Sequence, residues 1–229
     1  MKKIVVLTGA GISAESGIPT FRGADGLWEG YRIDEVATPD AWNEDFERVL
    51  RFYNDRRKVA REAMPNAGHT VLVELESSFQ VDIVTQNIDD LHERAGSSSV
   101  LHLHGEINKV RSTADERLVY ETEHWQVNSG DSCELGSQLR PHIVWFGESV
   151  PMLEPAMEIV SRADILIVVG TSLQVYPAAS LVNFTKPETP VFVVDPQLPD
   201  LPGGGKFTGI AKGGSEGLTE LKEILLKMI

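Results

Sequence analysis

Several short apolar runs in this sequence end in polar residues that could carry chemistry. The first run, residues 4–7, leads into Gly9-Ala10-Gly11-Ile12-Ser13, which opens a Gly-x-Gly-x-x-Ala spacing. Glycines in such a turn let the backbone approach a pyrophosphate, and the N-terminus of a following helix supplies amide donors. The spacing predicts a dinucleotide site, and a tight turn that binds nothing is the alternative.

The residues after this turn argue against hydride transfer. Pro19 ends the predicted helix early, because proline cannot extend a helix and disfavours helical geometry at Ile18. A dehydrogenase of this type carries a strand that ends in an acidic ribose ligand about 20 residues further on. The next run typical of a strand is instead residues 81–85. We therefore expect a dinucleotide-like site that serves a different reaction.

Amide and acid side chains follow the run of residues 81–85, at Gln86, Asn87 and Asp89. At the carboxyl edge of a parallel sheet such side chains face the ligand crevice, where they can bind hydroxyl groups and a carboxamide. Asn87 or Asp89 could instead cap a following helix, which contributes about 1 kcal/mol. This segment alone leaves both interpretations open.

Two histidines, His102 and His104, alternate with leucines in the run of residues 100–103 and just after it. Alternation places both rings on one face of a strand. A metal pair is conceivable, but no cysteine or carboxylate cluster completes it, so ordinary structural histidines are the favoured interpretation. His104, at the strand end before Gly105, is nevertheless well placed for a general base with a pKa near neutrality.

Two further segments have the form of strand ends. The run of residues 143–146 turns at Gly147, which would leave backbone groups for an extended peptide to pair with. The run of residues 165–169 ends in Gly170-Thr171-Ser172, small and hydroxylated residues that suit phosphates. Taken singly, each could be ordinary loop sequence.

The apolar runs and the helical patterns between them predict an α/β fold. Strand-like runs cover residues 4–7, 81–85, 100–103, 143–146, 165–169 and 191–194, and amphipathic segments cover 43–63, 67–77, 88–95, 151–162 and 216–229. Because the runs are apolar on both faces, we expect a Rossmann-like parallel sheet with helices on both faces. Polar insertions at about 23–65 and 108–140 predict a small second lobe beside a core of about 1–22, 66–107 and 141–229, all within one domain.

Composition and charge exclude several classes of protein. The 229 residues carry 34 acidic against 21 basic side chains, a formal net charge of −13, which disfavours nucleic acid and favours cationic partners. No apolar run approaches the ~20 residues that span a bilayer. Met1-Lys2-Lys3 leads directly into a strand-like run, so we expect a cytoplasmic protein without a signal peptide.

Taken together and in order, these segments resemble the sirtuins, NAD-dependent protein-lysine deacylases. The resemblance spans about residues 4–225 and also includes Gly17-Ile18-Pro19-x-Phe21-Arg22 and Val144-x-Phe146-Gly147-Glu148. Within the family the chain is similar to the bacterial class whose helical insertion carries Tyr-x-x-Arg, here Tyr53-Asn54-Asp55-Arg56. Without the family match, a solvated helix face with Arg51, Arg57 and Lys58 would be the favoured interpretation of this segment.

The resemblance implies a role for each matching residue. NAD would be held by Gly9, Ala10, Gly11, Ile12, Ser13, Phe21, Arg22, Gln86, Asn87, Ile88, Asp89, Gly170, Thr171, Ser172 and Gly214. His104 and Asn87 would be catalytic, with His104 as general base on the ribose hydroxyls. The acyl-lysine substrate would contact Tyr53, Arg56, Val144, Phe146, Gly147 and Glu148.

The implied reaction moves the acyl group from lysine to the ribose, which releases nicotinamide and 2'-O-acyl-ADP-ribose. An arginine beside a phenol can hold a carboxylate, so Tyr53 and Arg56 imply desuccinylase or demalonylase activity beside deacetylase activity. The alternatives are a non-catalytic NAD or ADP-ribose binding module and a protein ADP-ribosyltransferase. The intact Asn87, Asp89 and His104 argue against pure binding, which needs no base.

The chain departs from the family at the zinc site of the small lobe. Most sirtuins use two Cys-x-x-Cys pairs there, whereas this chain has Arg111-Ser112-Thr113 at the first pair and a solitary Cys133. We therefore expect no zinc, since a structural site needs three or four thiolates. We expect the lobe to hold together through apolar contacts of Leu118, Val119, Tyr120, Trp125 and Val127.

Overall fold

The computed structural model describes residues 1–20, 28, 30–171, 175–199 and 205–228. The strands in these ranges are β1 (Lys3–Thr8), β2 (Gln80–Thr85), β3 (Val100–His102), β4 (Gly105–Ser112), β5 (Val119–Glu121), β6 (Leu139–Ile143), β7 (Ile165–Val169), β8 (Val191–Val194) and β9 (Phe207–Ile210). The α-helices are α1 (Ile33–Val36), α2 (Pro39–Glu62), α3 (Ala67–Leu75), α4 (Leu91–Ala95), α5 (Leu153–Ser161) and α6 (Gly214–Leu226). Short 3-10 segments cover Ala10–Ile12, Ala14–Ser16 and Ala178–Phe184.

A six-stranded parallel sheet in the order β3-β2-β1-β7-β8-β9 confirms the predicted fold class. Val6, near the middle of β1, pairs with Ile83 on one side and Ile167 on the other. The chain runs outward from β1 through β2 to β3, then returns to the other side of β1 at β7. This reversal at β1 is the topological switch point, where open α/β sheets bind ligands.

Helices cover both faces of this sheet, as its apolar strands predict. One face packs Ile4 and Val6 of β1 against Leu72 of α3 and Leu221 of α6. The other face packs Val5 and Leu7 against α5 and the 3-10 segment Ala178–Phe184. No helix in the described ranges is long and apolar enough to cross a membrane.

A second, antiparallel sheet in the order β5-β4-β6 forms the small lobe together with α1 and α2. Its core lies between α2 and the sheet, where Phe52 and Tyr53 pack with Ile107, Ile143 and Trp145. Helix α2 begins after Thr38, whose hydroxyl accepts from the amide of Ala41 at 3.0 Å. This cap and Pro39 at the first helical position are ordinary start signals for a helix. The exact bounds of the core and the small lobe stay a prediction.

Three sequence-based expectations about elements are wrong. Residues 143–146 do not form a strand of the parallel sheet; β6 ends at Ile143 and pairs with β4. The apolar alternation of Ile143 and Trp145 instead reflects burial against α2. Residues 108–139, expected to be irregular, contain most of β4, all of β5 and the start of β6. The Gly-x-Gly turn opens two 3-10 turns rather than an α-helix, and Gly17 ends the second at φ 86°.

Polar side chains from α2 hold the small lobe in addition to its apolar contacts. Arg57 is fully buried and donates to the carbonyls of Ile107 at 2.6 Å and Trp125 at 2.8 Å. Asn54 donates to the carbonyl of Val127 and accepts from its amide, both at 2.9 Å. Of the apolar residues proposed for this task, Val127 and Tyr120 join a cluster with Leu50 and Val110, whereas Val119 is 38% exposed.

Hydroxyl groups surround the single cysteine of the small lobe. The Sγ atom of Cys133 is 3.3 Å from Ser112 Oγ and 3.1 Å from Ser137 Oγ, and the two hydroxyls are 2.8 Å apart. Hydrogen bonding with Ser112, and to a lesser extent with Ser137, lowers the pKa of the Cys133 thiol to about 7. One thiol and two hydroxyls do not fit the donor set of a structural zinc. In the described ranges no group of three or more His, Cys, Asp or Glu could hold a metal ion.

Candidate active site

Three loops meet at the carboxyl edge of the parallel sheet beside the switch point. They follow β1 at residues 9–13, β2 at residues 86–89 and β7 at Gly170 and Thr171. The loops after β2 and β7 touch directly, since the Gln86 side-chain amide donates to Thr171 Oγ1 at 3.2 Å. The structure thus brings together the predicted residues of three separate segments, while Phe21, Arg22 and Ser172 lie outside the described residues.

The glycines of the first loop are explained by close contact with the β7 loop. The amide of Gly11 donates to the Gly170 carbonyl at 2.9 Å. A Cβ added at Gly9 would lie 2.7 Å from the Gly170 oxygen, and one at Gly11 would lie 2.6 Å from the Gly170 Cα. Gly170 itself has φ 61°, and a Cβ there would meet the Ile12 amide at 2.4 Å. These glycines are therefore needed for the crossing of two backbones, whatever ligand the loops hold.

A buried hydrogen-bonded chain joins the first and second loops. Asn87 Nδ2 donates to Ser13 Oγ at 3.1 Å, and Ser13 Oγ donates to Asp89 Oδ2 at 3.1 Å. All three residues are less than a tenth exposed, and burial raises the pKa of the Asp89 carboxyl. The other Asp89 oxygen accepts from the Leu91 amide at 3.2 Å, but the N-cap of α4 is Asp90, so Asp89 lies one residue before the cap position that the alternative interpretation gave it. Ile88 lies half-buried between the two polar residues.

The backbone fixes the tautomer of His104. Its Nδ1 lies 3.0 Å from the Gln86 carbonyl oxygen, which can only accept, so Nδ1 carries the proton. Nε2 is left as the basic atom of a neutral ring and makes no hydrogen bond with the described residues. Burial lowers the pKa of His104 below its ordinary value, because a charged ring would be desolvated there. A half-buried neutral imidazole of this kind can accept a proton near pH 7.

His102 is anchored in the same way but has a second partner. Its Nδ1 lies 2.9 Å from the Asn87 carbonyl oxygen, and its Nε2 lies 2.8 Å from Glu93 Oε1. Burial alone would lower the pKa of His102, but the hydrogen bond and charge of Glu93 outweigh it and raise that pKa. His102 and His104, two residues apart, therefore bond to consecutive carbonyls of one loop, and a shared metal is not needed to explain either ring.

Arg56 of α2 lines a cavity next to the second loop, whereas Tyr53 of the same helix lies in the core of the small lobe and does not line that cavity. Arg56 lines this cavity together with Ile18, Pro19, Val59, Ala60, Ile88, Asp89 and Ile107. Its guanidinium lies 4.1 Å above the ring of Trp28, a cation–π contact. Tyr53 is 1% exposed, and its hydroxyl makes no hydrogen bond with the described residues. Burial raises the pKa of Tyr53 well above its usual value, so the hydroxyl stays protonated and can donate.

The segment of residues 144–148 lies beside the second loop and already uses most of its amides. The amide of Val144 donates to the His104 carbonyl at 2.9 Å, and that of Phe146 donates to the Ala37 carbonyl at 3.0 Å. Gly147 turns the chain at φ 90°, and Phe146 is 42% exposed. Phe146 and Gly147 lie past the end of β6, and the Phe146 amide is already bonded, so the pairing with an extended peptide that the sequence suggested here stays a prediction.

The side chain of Glu148 is engaged inside the small lobe. Its carboxylate accepts from Arg140 at 2.8 and 3.1 Å, from Arg111 at 3.3 Å and from the Trp145 amide at 2.8 Å. The Arg140 guanidinium also lies 3.3 Å from the centre of the Trp145 ring. Hydrogen bonds from Arg140 and Trp145 outweigh burial and lower the pKa of Glu148. This carboxylate holds the turn at Gly147 in place.

Gly214, at the start of α6, lies close to the first loop. A Cβ added there would be 3.5 Å from the Ile12 Cα, an ordinary contact. The amide of the next residue, Ser215, donates to Glu15 Oε1 at 3.0 Å. Asn66, the N-cap of α3, joins the same elements, since its side-chain amide donates to the Ile12 carbonyl at 2.7 Å and its oxygen accepts from Ser215 Oγ at 3.4 Å. The N-terminus of α6 is thus already capped by a carboxylate from the first loop region.

Several residues of the site were missed in the sequence. The cavity beside Arg56 is also lined by Val59, Ala60 and Ile107. In the sequence, only the spacing of these residues from Arg56 on the helix or from His104 on the strand could have indicated that they belong to the site. Glu93, the partner of His102, comes from α4 and has no signal in the sequence beyond its place one turn into a helix. Such contacts depend on tertiary structure and not on local pattern.

Comparison with known proteins settles the family. A family model described as the Sir2 family matches residues 9–177. The chain belongs to the Sir2 family. It is 49% identical over 231 residues to an NAD-dependent protein deacylase of Bacteroides thetaiotaomicron, covering 99% of each protein. It is 56% identical over 197 residues to one of Helicobacter pylori, covering 86% of each.

Solved Sir2 structures are similar over nearly the whole chain. One is a Sir2 homologue in complex with NAD, with a TM-score of 0.89, 42% identity, and coverage of 99% of this chain and 90% of that one. Another is a variant Sir2 homologue in complex with ADP-ribose, with a TM-score of 0.91, 42% identity, and coverage of 99% and 93%. The sirtuin resemblance in the sequence is thereby confirmed.

Proposed function

We propose that this Sir2 protein is an NAD-dependent protein-lysine deacylase that releases nicotinamide and 2'-O-acyl-ADP-ribose. The observation that carries the proposal is the neutral His104, whose Nδ1 is fixed on the Gln86 carbonyl and whose Nε2 is left as a base. This carbonyl belongs to the loop whose Asn87 and Asp89 side chains bond to the buried Ser13 at the switch point of the sheet. Relatives named NAD-dependent protein deacylases support the same activity.

The donor set at the switch point fits NAD. Amide, hydroxyl and carboxylate groups of Gln86, Asn87, Asp89 and Ser13 suit ribose hydroxyls and a carboxamide, and the backbones of Gly9–Ser13 and Gly170 would lie against the diphosphate. NAD supplies the ribose that receives the acyl group. His104 would take a proton from a ribose hydroxyl at Nε2, and the Gln86 carbonyl would stabilise the imidazolium that results, because it accepts from Nδ1.

Turnover with acylated peptides tests this proposal. The protein is incubated with NAD and either acetyl-lysine or succinyl-lysine peptide, and nicotinamide and acyl-ADP-ribose are measured. Release of both products supports the proposal. No nicotinamide with either peptide contradicts it, and tight NAD binding without turnover would favour the binding-module alternative. Covalent ADP-ribose left on a protein would favour the ADP-ribosyltransferase alternative.

We further propose that Tyr53 and Arg56 select acyl groups that end in a carboxylate, such as succinyl or malonyl. Both belong to α2, and Arg56 lines the cavity beside Ile88 and Asp89. The Tyr53 hydroxyl is protonated and unbonded among the described residues, so it can donate to an incoming carboxylate. A guanidinium and a phenol together form charge-assisted hydrogen bonds that an acetyl group cannot use.

The substitution Arg56→Met tests this selectivity. We expect kcat/KM for the succinyl peptide to fall by about 100-fold, the loss of one charge-assisted contact of ~3 kcal/mol, with acetyl turnover changed far less. The matched control is Arg51→Met on the same helix, where the arginine side chain is 65% exposed. An equal fall in kcat/KM for the succinyl and the acetyl peptide would show that Arg56 does not bind the carboxylate of the acyl group.

The remaining expectations concern metal, partners and location. We propose that the small lobe folds without zinc, since Cys133, Ser112 and Ser137 form a hydrogen-bonded cluster in place of four thiolates. Metal analysis of the purified protein, with unfolding measured with and without chelator, tests this. Acylated lysine side chains of proteins are the proposed partners, with no role for nucleic acid or membrane. Cytoplasmic location stays a prediction from the sequence.

A further inference from the structure

Two histidines on the same stretch of chain use the same anchor but differ in their second nitrogen. His104 Nδ1 meets the Gln86 carbonyl at 3.0 Å, and His102 Nδ1 meets the Asn87 carbonyl at 2.9 Å. His104 leaves Nε2 without a hydrogen bond among the described residues, whereas His102 Nε2 lies 2.8 Å from the Glu93 carboxylate. The mechanism proposed above uses only His104.

The geometry at His102 requires a proton on both ring nitrogens. The Asn87 carbonyl can only accept, and an ionised Glu93 can only accept, so a neutral ring would lose one of the two hydrogen bonds. The side chain of His102 is 8% exposed, so water replaces neither partner easily. A protonated His102 is therefore a fixed bridge from α4 to the backbone of the loop after β2.

This bridge acts on the loop that carries the site. β3 is a three-residue strand at the edge of the sheet, and His102 is its last residue, paired in register with Thr85 of β2. The Asn87 carbonyl that His102 holds belongs to the residue whose side chain donates to Ser13. The Asn87 amide donates to Thr85 Oγ1 at 3.0 Å, so loss of the His102 contact would leave the Asn87 backbone held at its amide alone, with its carbonyl free to turn.

We propose that His102 is a positioning residue, a protonated clamp between Glu93 and the Asn87 carbonyl that holds the Asn87 loop in its reactive geometry. The proposal rests on the deacylase function above, because loss of the clamp is expected to lower kcat for deacylation. It assigns the two histidines opposite tasks, with His104 neutral as the base and His102 charged as the support.

The charged and titratable groups around His102 come from three elements. The groups that face it are Glu93 and His92 of α4, Glu106 of β4 and Asp89 of the loop after β2. The charge of Lys109 acts on Glu93 and lowers the pKa of its carboxyl. Hydrogen bonding and charge from Glu93, helped by Glu106, raise the pKa of His102 above its ordinary value despite burial. The clamp is thus present below that raised pKa and is lost as the pH rises through it. His104 behaves in the opposite way, because it loses its basic form when it is protonated at acidic pH.

The test measures kcat against pH at saturating NAD and acyl-peptide for the wild type, Glu93→Gln, His102→Asn and His102→Ala. We expect a decline at alkaline pH in the wild type, and in Glu93→Gln a midpoint about one pH unit or more lower, since the opposite charge is gone. His102→Asn keeps one donor towards the Asn87 carbonyl and has no titrating ring. It should lose about tenfold in kcat with no alkaline decline from this ring, and His102→Ala should lose about 100-fold.

An NMR titration tests whether His102 is a charged clamp without depending on enzymatic turnover. Selectively labelled histidine signals, with His102 assigned from the His102→Asn spectrum, should titrate above the ordinary pKa in the wild type and lower in Glu93→Gln. The side-chain amide signals of Asn87 should shift with the same midpoint. The control is His124→Asn, an exposed histidine of the small lobe.

The outcomes separate the clamp from the deacylase function. An unchanged alkaline midpoint in Glu93→Gln, or Asn87 signals that do not follow His102, overturns the clamp. Equal losses in His102→Asn and His102→Ala would also overturn it, because Asn keeps the donor. No turnover with any peptide overturns the deacylase function, while the NMR titration still decides whether a charged His102 holds the loop.

Discussion

At the scale of single residues, two side chains that are neighbours in the sequence can have entirely different contacts in the fold. Arg56 and Arg57 are adjacent, yet Arg56 lies over Trp28 beside the cavity, whereas Arg57 is fully buried and bonded to two backbone carbonyls. Burial lowers the pKa of Arg57 to about 10, which still leaves it charged at neutral pH. Neighbouring residues on a helix point about 100° apart, so the two arginines serve different parts of the molecule.

His104 is the residue for which the structure makes the most specific kinetic prediction. We expect His104→Ala to lower kcat by at least about 100-fold, the usual contribution of a general base, while the Kd for NAD stays within a few-fold. Because burial lowers the pKa of His104, the wild type should keep its activity to a pH below the ordinary histidine value near 6.5. Steady-state kinetics across pH and calorimetric NAD binding check both points. Full activity in His104→Ala would assign the base elsewhere.

At the scale of elements, the crossing of two glycine loops sets how β1 and β7 present their carboxyl ends. Gly9 and Gly11 leave no room for a side chain against Gly170, so the contact is backbone on backbone. Close contact of this kind is rigid, because neither partner has a side chain that can rotate away. The geometry of the proposed diphosphate site therefore depends on both loops.

We expect Gly11→Ala to force these loops apart. The new Cβ would lie 2.6 Å from the Gly170 Cα, so the free energy of unfolding should fall by about 1–3 kcal/mol and NAD affinity should fall with it. Gly214→Ala is the matched control for stability, since its Cβ would have 3.5 Å to the nearest atom and unfolding should change by less than about 1 kcal/mol. Thermal and urea unfolding compare them, and equal destabilisation would contradict the crossing argument.

A buried histidine pair connects β1, α3 and α4 beneath the site. The rings of His69 and His92 lie 4.9 Å apart, and His92 Nε2 lies 3.0 Å from Thr8 Oγ1 at the end of β1. Both residues are fully buried, and burial lowers the pKa of His69 to about 4 and that of His92 to about 3. Both rings are therefore uncharged in the folded protein at neutral pH.

This pair predicts loss of stability in acid. The unfolded histidines take up protons near pH 6.5, whereas the folded ones resist until about pH 4 and 3, so stability is full above pH 6.5 and falls below it. Each histidine should contribute roughly 1.4 kcal/mol per pH unit over that window. Urea unfolding at pH 7, 6 and 5 measures the slope. His92→Gln should reduce it, His124→Gln at an exposed site should not, and a flat profile would show that the pair does not titrate on unfolding.

At the scale of the whole molecule, the small lobe is attached to the parallel sheet by both ends. The chain enters it after β3 and returns to β7 through α5, and α2 reaches it from the other insertion. Arg57, Asn54 and Arg61 of α2 bond to the backbone of residues 107 and 122–127. These polar contacts join the two insertions together with the apolar clusters between α2 and the antiparallel sheet.

We expect Arg57→Met to loosen the lobe. It would leave the carbonyls of Ile107 and Trp125 without their donor, so the free energy of unfolding should fall by about 3 kcal/mol or more. Arg51→Met on the exposed side of the same helix should change it by less than about 0.5 kcal/mol. Hydrogen exchange should increase first at the amides of β4 and residues 122–127. Protection lost evenly over the parallel sheet would contradict a local role.

The parallel sheet and the order of the site loops could be predicted from the sequence because they depend on local patterns. Runs such as Ile4–Leu7 are apolar on both faces, which is typical of a sheet covered on both sides, although the run of residues 143–146 shows that the pattern alone does not decide it. β4 was missed because its residues are half-buried and mostly polar, with an irregular register between Gly105 and Val110. The difference between His102 and His104 could not be predicted either, since it depends on Glu93, which only the folded chain brings near.

The carboxylate of Glu15 at the start of α6 has a consequence for the polarity of any dinucleotide bound here. A helix normally attracts anions at this end, but Glu15 has already accepted the Ser215 amide and offsets the positive dipole. Negative groups would be repelled from that corner. The uncharged base should therefore lie towards α6, which directs the opposite, reacting end of the molecule towards His104.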